Sequence, residues 1–553
     1  MPMPSPARYA AARALRRFSA AACDAGASAT SRLVAELPVL PPCDFVPAPY
    51  SGPSLEHVMS LRRAHMTPSA FHYYAKPLML VEGRGAFVFD ETGRRYLDGF
   101  GGIVTTLLGH GHPRVLAAVR EQQATLAHTT LVYAHPQAAL YCSELVRALP
   151  QPTLRPERLT PGGRALSQAA TLPPPLSVVF LVNSGSEASD LALSLVRATT
   201  GRFDVVALRG GYHGLGAGAG GLSGTGSWKQ PSPGGFGVHH VASPDAYRGA
   251  HGSDGPAYAA DISELVETST SGGSAALAGF FAESTLGVGG VVPLAPGFLA
   301  AAYGVVRASG GLCVADEVQS GFGRTGAHFW GFQSHGVLPD VVTMAKGIGN
   351  GFPLAAVVTT RAVAAALTPR LWCAPPALPA DPRSSLLTAG YTVFVPSLFL
   401  FLGFSPISQF LPPLTCLSRP SRRLNTFGGG PVASAAGRAV LQSLAEEGLQ
   451  ANAAAVGAHL MTRLKALQDK HSLIGDVRGS GLLIGVELVT DRSTKAAAGP
   501  AAARLLERAR ELGLLLGKGG RKGNVLRVTP PLCVTMADAD FVADVINACL
   551  CDA

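Results

Sequence analysis

Four short apolar runs constrain this 553-residue chain more than any other feature: SVVFLV at 177–182, DVVAL at 204–208, LAGFFA at 277–282 and GLCVAD at 311–316. Each is closed by turn residues, and the segments between them can form helices. Continuous apolar runs of this length are what strands buried on both faces look like, so the spacing predicts a mostly parallel sheet covered by helices, an α/β fold. A fifth run, DVVTMA at 340–345, leads straight into Lys346. Upstream, AFVFDETGRRYLDGF from Ala86 alternates apolar and polar residues about Glu91-Thr92-Gly93 and predicts a β-hairpin. Residues 114–149 read as helical and 151–176 as a Pro-rich loop. Beyond Gly428-Gly429-Gly430, a helical stretch at 432–470, a strand GLLIGVEL at 481–488 and a final helix predict a smaller α+β domain.

Bulk composition removes several function classes. With 47% hydrophobic and 15% charged residues the chain can bury a large core. Its formal charge is +9, but the Lys and Arg residues are scattered, with no stripe or tail that would follow nucleic acid. Nine cysteines show no CxxC pair, which fits a reducing compartment. Residues 1–23 carry Arg8, Arg13, Arg16 and Arg17 among Ala and Ser, with no Asp or Glu. That is transit-peptide composition, read here as an address to the mitochondrial matrix, with a chloroplast signal or a plain Ala-rich start as the other readings. The uncharged stretch 384–418 tempts a membrane reading, but Pro396, Pro406, Pro412 and Pro413 interrupt it, so no membrane span is expected. It reads as an insertion, or as translated non-coding sequence.

Three motifs carry chemistry. Asn183-Ser184-Gly185-Ser186-Glu187 lies where a strand passes into a helix, and small residues there let backbone N–H groups and the helix N-terminus approach a phosphate. Asp316-Glu317 closes a buried strand, which puts a carboxylate at the edge of the sheet where open α/β folds bind ligands. Thirty residues further on, Lys346 closes another strand and precedes Gly347-Ile348-Gly349-Asn350-Gly351, a segment able to turn tightly around a bulky group. Alone, Asp316 could be a helix cap and Lys346 a surface lysine; in this order they point to one site.

The run VADEVQSGFGRTGAHFWGFQSHGVLPDVVTMAKGIGNGFPLAAVVTT resembles the signature of class III (ornithine-type) aminotransferases, pyridoxal-phosphate enzymes of fold type I. FHYYAKPLMLVEG, YLDGFGGIVTT with GHGHP, NSGSEAS, RGGYHG, NTFGGGP, GDVRGSGLLIGVEL and GKGGRKGNVLRVTPPL extend the likeness over most of 55–553, nearest the alanine-glyoxylate type 2 subgroup. The resemblance implies pyridoxal 5'-phosphate bound covalently to Lys346, with Asp316 on its ring nitrogen. Gly185 and Ser186 would bind the phosphate, Tyr212 would stack on the ring, and Val318 and Gln319 would pack and hydrogen-bond it. Glu283 keeps the carboxylate of a cofactor-site motif. Thr426 would reach the phosphate of a neighbouring subunit, which implies a homodimer with shared sites, and Arg527 would grip the substrate carboxylate. The implied activity moves an amino group from alanine or a β- or ω-amino acid to glyoxylate or pyruvate in a ping-pong cycle.

The implied division of the chain is a transit peptide at 1–23, an N-terminal segment of the small domain at 24–105, and a large cofactor-binding domain at 106–370. An atypical insertion follows at 371–421, then a cofactor-contacting segment at 422–434 and a C-terminal small domain at 435–553. Two departures stand out. Leu286 replaces the family's amide three residues after Glu283, and 80 residues separate Lys346 from Thr426. Other readings remain open: a different ω-aminotransferase, an aminomutase, or an inert product disrupted by the insertion.

Overall fold

The computed structural model describes residues 37–150, 175–229, 235–268, 276–367 and 425–552. The address at 1–23, nearly all of the 151–176 loop and the 371–421 insertion lie outside the described residues.

A seven-stranded sheet forms the centre, in the order Val178–Val182, Ala355–Thr359, Val341–Met344, Leu312–Asp316, Gly279–Glu283, Val205–Leu208 and Val238–Val241. All five expected runs are in it. Ala355–Thr359 alone runs antiparallel to its neighbours, and the pairs from Val341–Met344 onwards are parallel. Two strands escaped the sequence reading. Ala355–Thr359 follows so soon after the Lys346–Gly351 turn that it reads as part of that motif, and Val238–Val241 carries His239 and His240, which dilute its apolar pattern.

Helices cover both faces. Gly185–Thr200 starts at Ser184, whose side chain accepts from the Glu187 N–H, and stops at Gly201, which takes the left-handed conformation (φ 68°) that closes a helix without a Cβ penalty. Its buried residues Leu191, Leu195 and Val196 recur at helical spacing and pack onto the sheet. Gly255–Thr268 and Phe298–Ala308 pack around Phe280 and Tyr303. The expected helix at 114–149 is two helices, Pro113–Thr125 and Pro136–Arg147, each with Pro in its first turn. The expected 432–470 helix is likewise divided at Gly448 (φ 63°) into Pro431–Glu446 and Leu449–Lys470. A left-handed glycine cannot continue an α-helix, and periodicity alone does not register one.

The hairpin about Glu91–Gly93 is present as Phe87–Asp90 against Arg95–Asp98. Leu80–Arg84 extends it, and Leu514–Leu515 joins it in parallel, tying the start of the chain to its end. The C-terminal sheet contains Ile474–Ser480, Leu483–Asp491, Val525–Val528 and Gly517–Gly519. Met536–Cys551 closes the chain behind a capping box between Thr535 and Asp538. Among the described residues no helix is long and apolar enough to cross a membrane, and none form a His/Cys/Asp/Glu cluster able to hold a metal.

Candidate active site

Sheet register places the first carboxylates. Asp316 lies beside Glu283 on one neighbouring strand and beside Thr343 on the other, so two carboxylates stand side by side at the carboxyl ends of the strands. Asp316 is 3% exposed. Its Oδ1 accepts from the Val318 N–H at 3.0 Å, and its Oδ2 lies 2.7 Å from His213 Nδ1. Burial acts to lower the His213 pKa, but the hydrogen bond and charge of Asp316, with Glu283 beyond, outweigh it and raise the pKa. The imidazole is thereby biased towards its protonated form beside Asp316.

Glu283 is 3% exposed. It accepts from the Tyr212 N–H and the Gly287 N–H, both at 2.9 Å. Burial first, and the Asp316 charge second, push its pKa up to about 7. Glu317, the other half of the acidic pair, has a different task. Its oxygens accept from Ser284, Ser320 and the backbone N–H groups of Gly331 and Phe332, which pins the loop after the strand.

Lys346 follows the strand Val341–Met344 and opens a 3-10 turn, Lys346–Gly349. Its φ of 50° is left-handed, a strained geometry for a residue with a side chain. Loss of solvation lowers its pKa; Arg527 acts in the same direction, and the Asp316 and Glu283 charges oppose it. The amine is thereby shifted towards its neutral, nucleophilic form. Lys346 lines a cavity of about 230 Å³ with Thr105, Asn183, Ser184, Gly185, Val318 and Ala345.

At the far wall, the first N–H groups of the Gly185–Thr200 helix have no acceptor within the helix. A Cβ on Gly185 would stand 3.4 Å from Val318, so the glycine brings helix and strand end close together. Ser186 Oγ accepts from the Leu215 N–H at 3.2 Å. Asn425 ties the 425–430 turn to this corner through Asn183 (3.1 Å) and Glu187 (3.2 Å). Thr426 itself is exposed on that turn.

Arg527 is 2% exposed. Its Nη2 donates to Gln319 Oε1 at 2.6 Å, and its guanidinium lies 5.4 Å from the Phe100 ring centroid. Gln319 Nε2 in turn lies 3.4 Å from Glu283 Oε2. Gln319 thus supplies a polar bridge against Gly287, next in sequence to the buried Leu286. Tyr212 stands edge-on to Trp228 at 5.8 Å.

Lys346, Asp316, Glu283, Val318, Gln319, Gly185 and Arg527 are joined by register, shared cavity walls, hydrogen bonds or charge, with Tyr212 attached through Glu283. Thr426 stands apart on its exposed turn. Sequence reasoning missed His213, although it sits inside RGGYHG. The signal was available, because a carboxylate on a buried strand end needs hydrogen-bond donors.

These residues suit pyridoxal phosphate on their own geometry. A lysine with a lowered pKa and the N-terminus of a helix line one cavity, and the buried Asp316 carboxylate lies two residues before Val318 of its wall and acts by its charge on Lys346. The model for aminotransferase class III matches residues 70–373 and 406–550 and passes over 374–405. The mitochondrial alanine–glyoxylate aminotransferase 2 homolog 2 of Arabidopsis thaliana is 43% identical over 512 residues, covering 92% of this chain and 90% of that protein. The mitochondrial alanine–glyoxylate aminotransferase 2 of Homo sapiens is 38% identical over 533 residues, covering 93% and 90%. Among solved structures, an (S)-enantioselective omega-transaminase from Thermomicrobium roseum superimposes with a TM-score of 0.70 at 28% identity, covering 91% of this chain and 99% of that one. A phospholyase from Arthrobacter in complex with phosphoethanolamine gives 0.69 at 28%, covering 89% and 99%.

Proposed function

The chain belongs to the class III aminotransferases and is a pyridoxal-phosphate-dependent transaminase, and from that premise we propose that it moves the amino group of alanine, or of a β- or ω-amino acid, to glyoxylate or pyruvate in a ping-pong cycle. The alanine–glyoxylate relatives support this choice of substrates. The observation that carries the site assignment is the convergence of Lys346 with the His213–Asp316 pair at adjacent strand ends.

Bound pyridoxal phosphate would supply a conjugated, electron-withdrawing ring that spreads the charge left when a substrate Cα loses its proton. Lys346 would hold the cofactor covalently. Once released from it, the Nζ would carry the proton from the substrate Cα, a task suited to an amine whose pKa is lowered. Asp316, oriented by its hydrogen bond with His213, would hold the ring nitrogen protonated. Gly185 and Ser186 would hold the phosphate, Tyr212 would cover the ring, and Val318, Gln319 and Glu283 would line it. Arg527 would grip the substrate carboxylate, for which a planar guanidinium is the better partner.

We place the protein in the mitochondrial matrix as a homodimer with shared sites. The mitochondrial names of its relatives support the first. Exposed apolar residues support the second: Leu131 (53% exposed), Val132 (67%) and Tyr133 (71%) lie on a segment that meets the Thr426 turn where Leu131 faces Gly429, and Phe427 (68%) lies on that turn.

Borohydride reduction of the loaded enzyme should fix the cofactor permanently to Lys346, and Lys346→Ala should lose both the label and turnover. Normal turnover by Lys346→Ala would refute the assignment. A donor and acceptor panel separates the proposed reaction from its alternatives: an aminomutase would pass no amino group to any keto acid, and a different ω-aminotransferase would prefer an acceptor other than glyoxylate and pyruvate.

A further inference from the structure

Arg324 is 0% exposed. Among the described residues no carboxylate lies within ion-pair distance of it. Its Nη1 donates to the Leu482 carbonyl at 3.1 Å and the Pro530 carbonyl at 2.5 Å. Its Nε and Nη2 are buried with no acceptor. A guanidinium enclosed in this way is strongly unfavourable unless the fold uses it.

Its surroundings indicate the use. Leu482 stands three residues before Gly485, and Gly485 pairs with Arg527 in the C-terminal sheet. Pro530 stands three residues after Arg527. The backbone of the same loop completes the clamp: the Arg324 carbonyl accepts from the Leu482 N–H at 3.1 Å, and Thr325 accepts from Ser480 Oγ at 2.8 Å. Gly481 (φ 54°) permits the approach, since a Cβ there would stand 2.5 Å from the Thr325 carbonyl carbon. Five residues earlier on this loop, Gln319 receives the tip of Arg527.

We propose that Arg324 is a positioning residue for Arg527: it fixes both strands that carry and flank that side chain, and it sets a second buried positive charge behind it, so that substrates are selected for a carboxylate. The proposal rests on the reading of Arg527 as the carboxylate anchor. The pKa of Arg324 is lowered to about 9 by burial first and by the Arg527 charge second, with Asp98 opposing, which accords with two buried cations that feel one another.

The test uses the cofactor-loaded enzyme and compares alanine with ethylamine, the same donor without its carboxylate. Arg324→Met should raise the KM for alanine and reduce the alanine-to-ethylamine ratio of kcat/KM roughly tenfold or more, with cofactor absorbance retained. Arg324→Lys, which keeps the charge, should restore part of that ratio. If Arg324→Met does not fold, Arg324→Gln gives the same comparison with an uncharged but polar side chain in the enclosed space. An unchanged ratio in folded Arg324 variants, alongside a ratio abolished by Arg527→Met, overturns the inference. A ratio unaffected by Arg527→Met means instead that the reading of Arg527 has failed.

Discussion

His213 Nδ1 stands 2.7 Å from Asp316 Oδ2, both side chains fully or almost fully enclosed. An enclosed carboxylate needs hydrogen-bond donors, and His213 supplies one beside the Val318 N–H. His213→Phe removes the donor while filling most of the space, next to Phe281, which already meets the imidazole edge-on at 6.3 Å. Losing a hydrogen bond between charged partners costs about 1.5–3 kcal/mol. Cofactor affinity, followed by spectroscopic titration of the apoenzyme, should therefore fall roughly tenfold to a hundredfold. An affinity equal to that of the parent would show that Asp316 needs no such support.

Glu283 gives a pH dependence whose sign follows from its environment. Its pKa in the fold is about 7, above the ordinary 4.5, because burial and Asp316 disfavour the anion. The unfolded chain therefore releases this proton at lower pH than the folded one. The resulting stability is complete below pH 4.5 and is lost as pH rises through about 7. Over that window the loss is on the order of 3 kcal/mol. Glu283→Gln cannot titrate, so urea unfolding between pH 5 and 8 should show a flatter profile than the parent. Parallel profiles would mean that Glu283 is ionised throughout.

Legibility followed the physics of each element. The strand ends at Asp316 and Lys346 could be read because buried strands are unbroken apolar runs, and a charge at the end of one is conspicuous. Gly185 could be read because strand, small residues and helix come in sequence order. Arg324 could not, since an arginine between glycines reads as a surface turn until its burial is known. Gln319 was assigned to the cofactor alone, and its bridge from Glu283 to Arg527 depends on two segments 208 residues apart. The divisions at Gly448 and between Thr125 and Pro136 were hidden because helical periodicity continues on both sides of each break.

The patch formed by Leu131, Val132, Tyr133 and Phe427 predicts how the subunits assemble. His128 packs on Phe427 at 5.3 Å, so the aromatic ring is held in place while two-thirds exposed. Phe427→Asp places a charge in the proposed contact and leaves the core untouched. Sedimentation should show the dimer shifted to monomer, with activity falling in step because Thr426 no longer reaches a neighbour. A variant that remains dimeric at micromolar concentration would place the interface elsewhere.

Gly101, Gly102, Ile103 and Val104 all have positive φ, of 59°, 57°, 65° and 66°. For the two glycines this is ordinary, but left-handed geometry costs a residue with a Cβ about 1–2 kcal/mol, and branching at Cβ adds to it. Ile103 gains little burial in return, being 53% exposed. The run ends at Thr105, which lines the Lys346 cavity, and Asp98 anchors its start by accepting from Phe100 and Gly101. Strain held beside a binding cavity is used to fix geometry. Ile103→Gly should therefore raise the free energy of unfolding by about 1 kcal/mol while lowering kcat, because the relieved loop no longer holds Thr105 in one place. Chemical denaturation and steady-state kinetics on one preparation check both halves. A variant less stable than the parent would show that the conformation carries no strain, and one more stable with unchanged kcat would show that the strain serves nothing at the site.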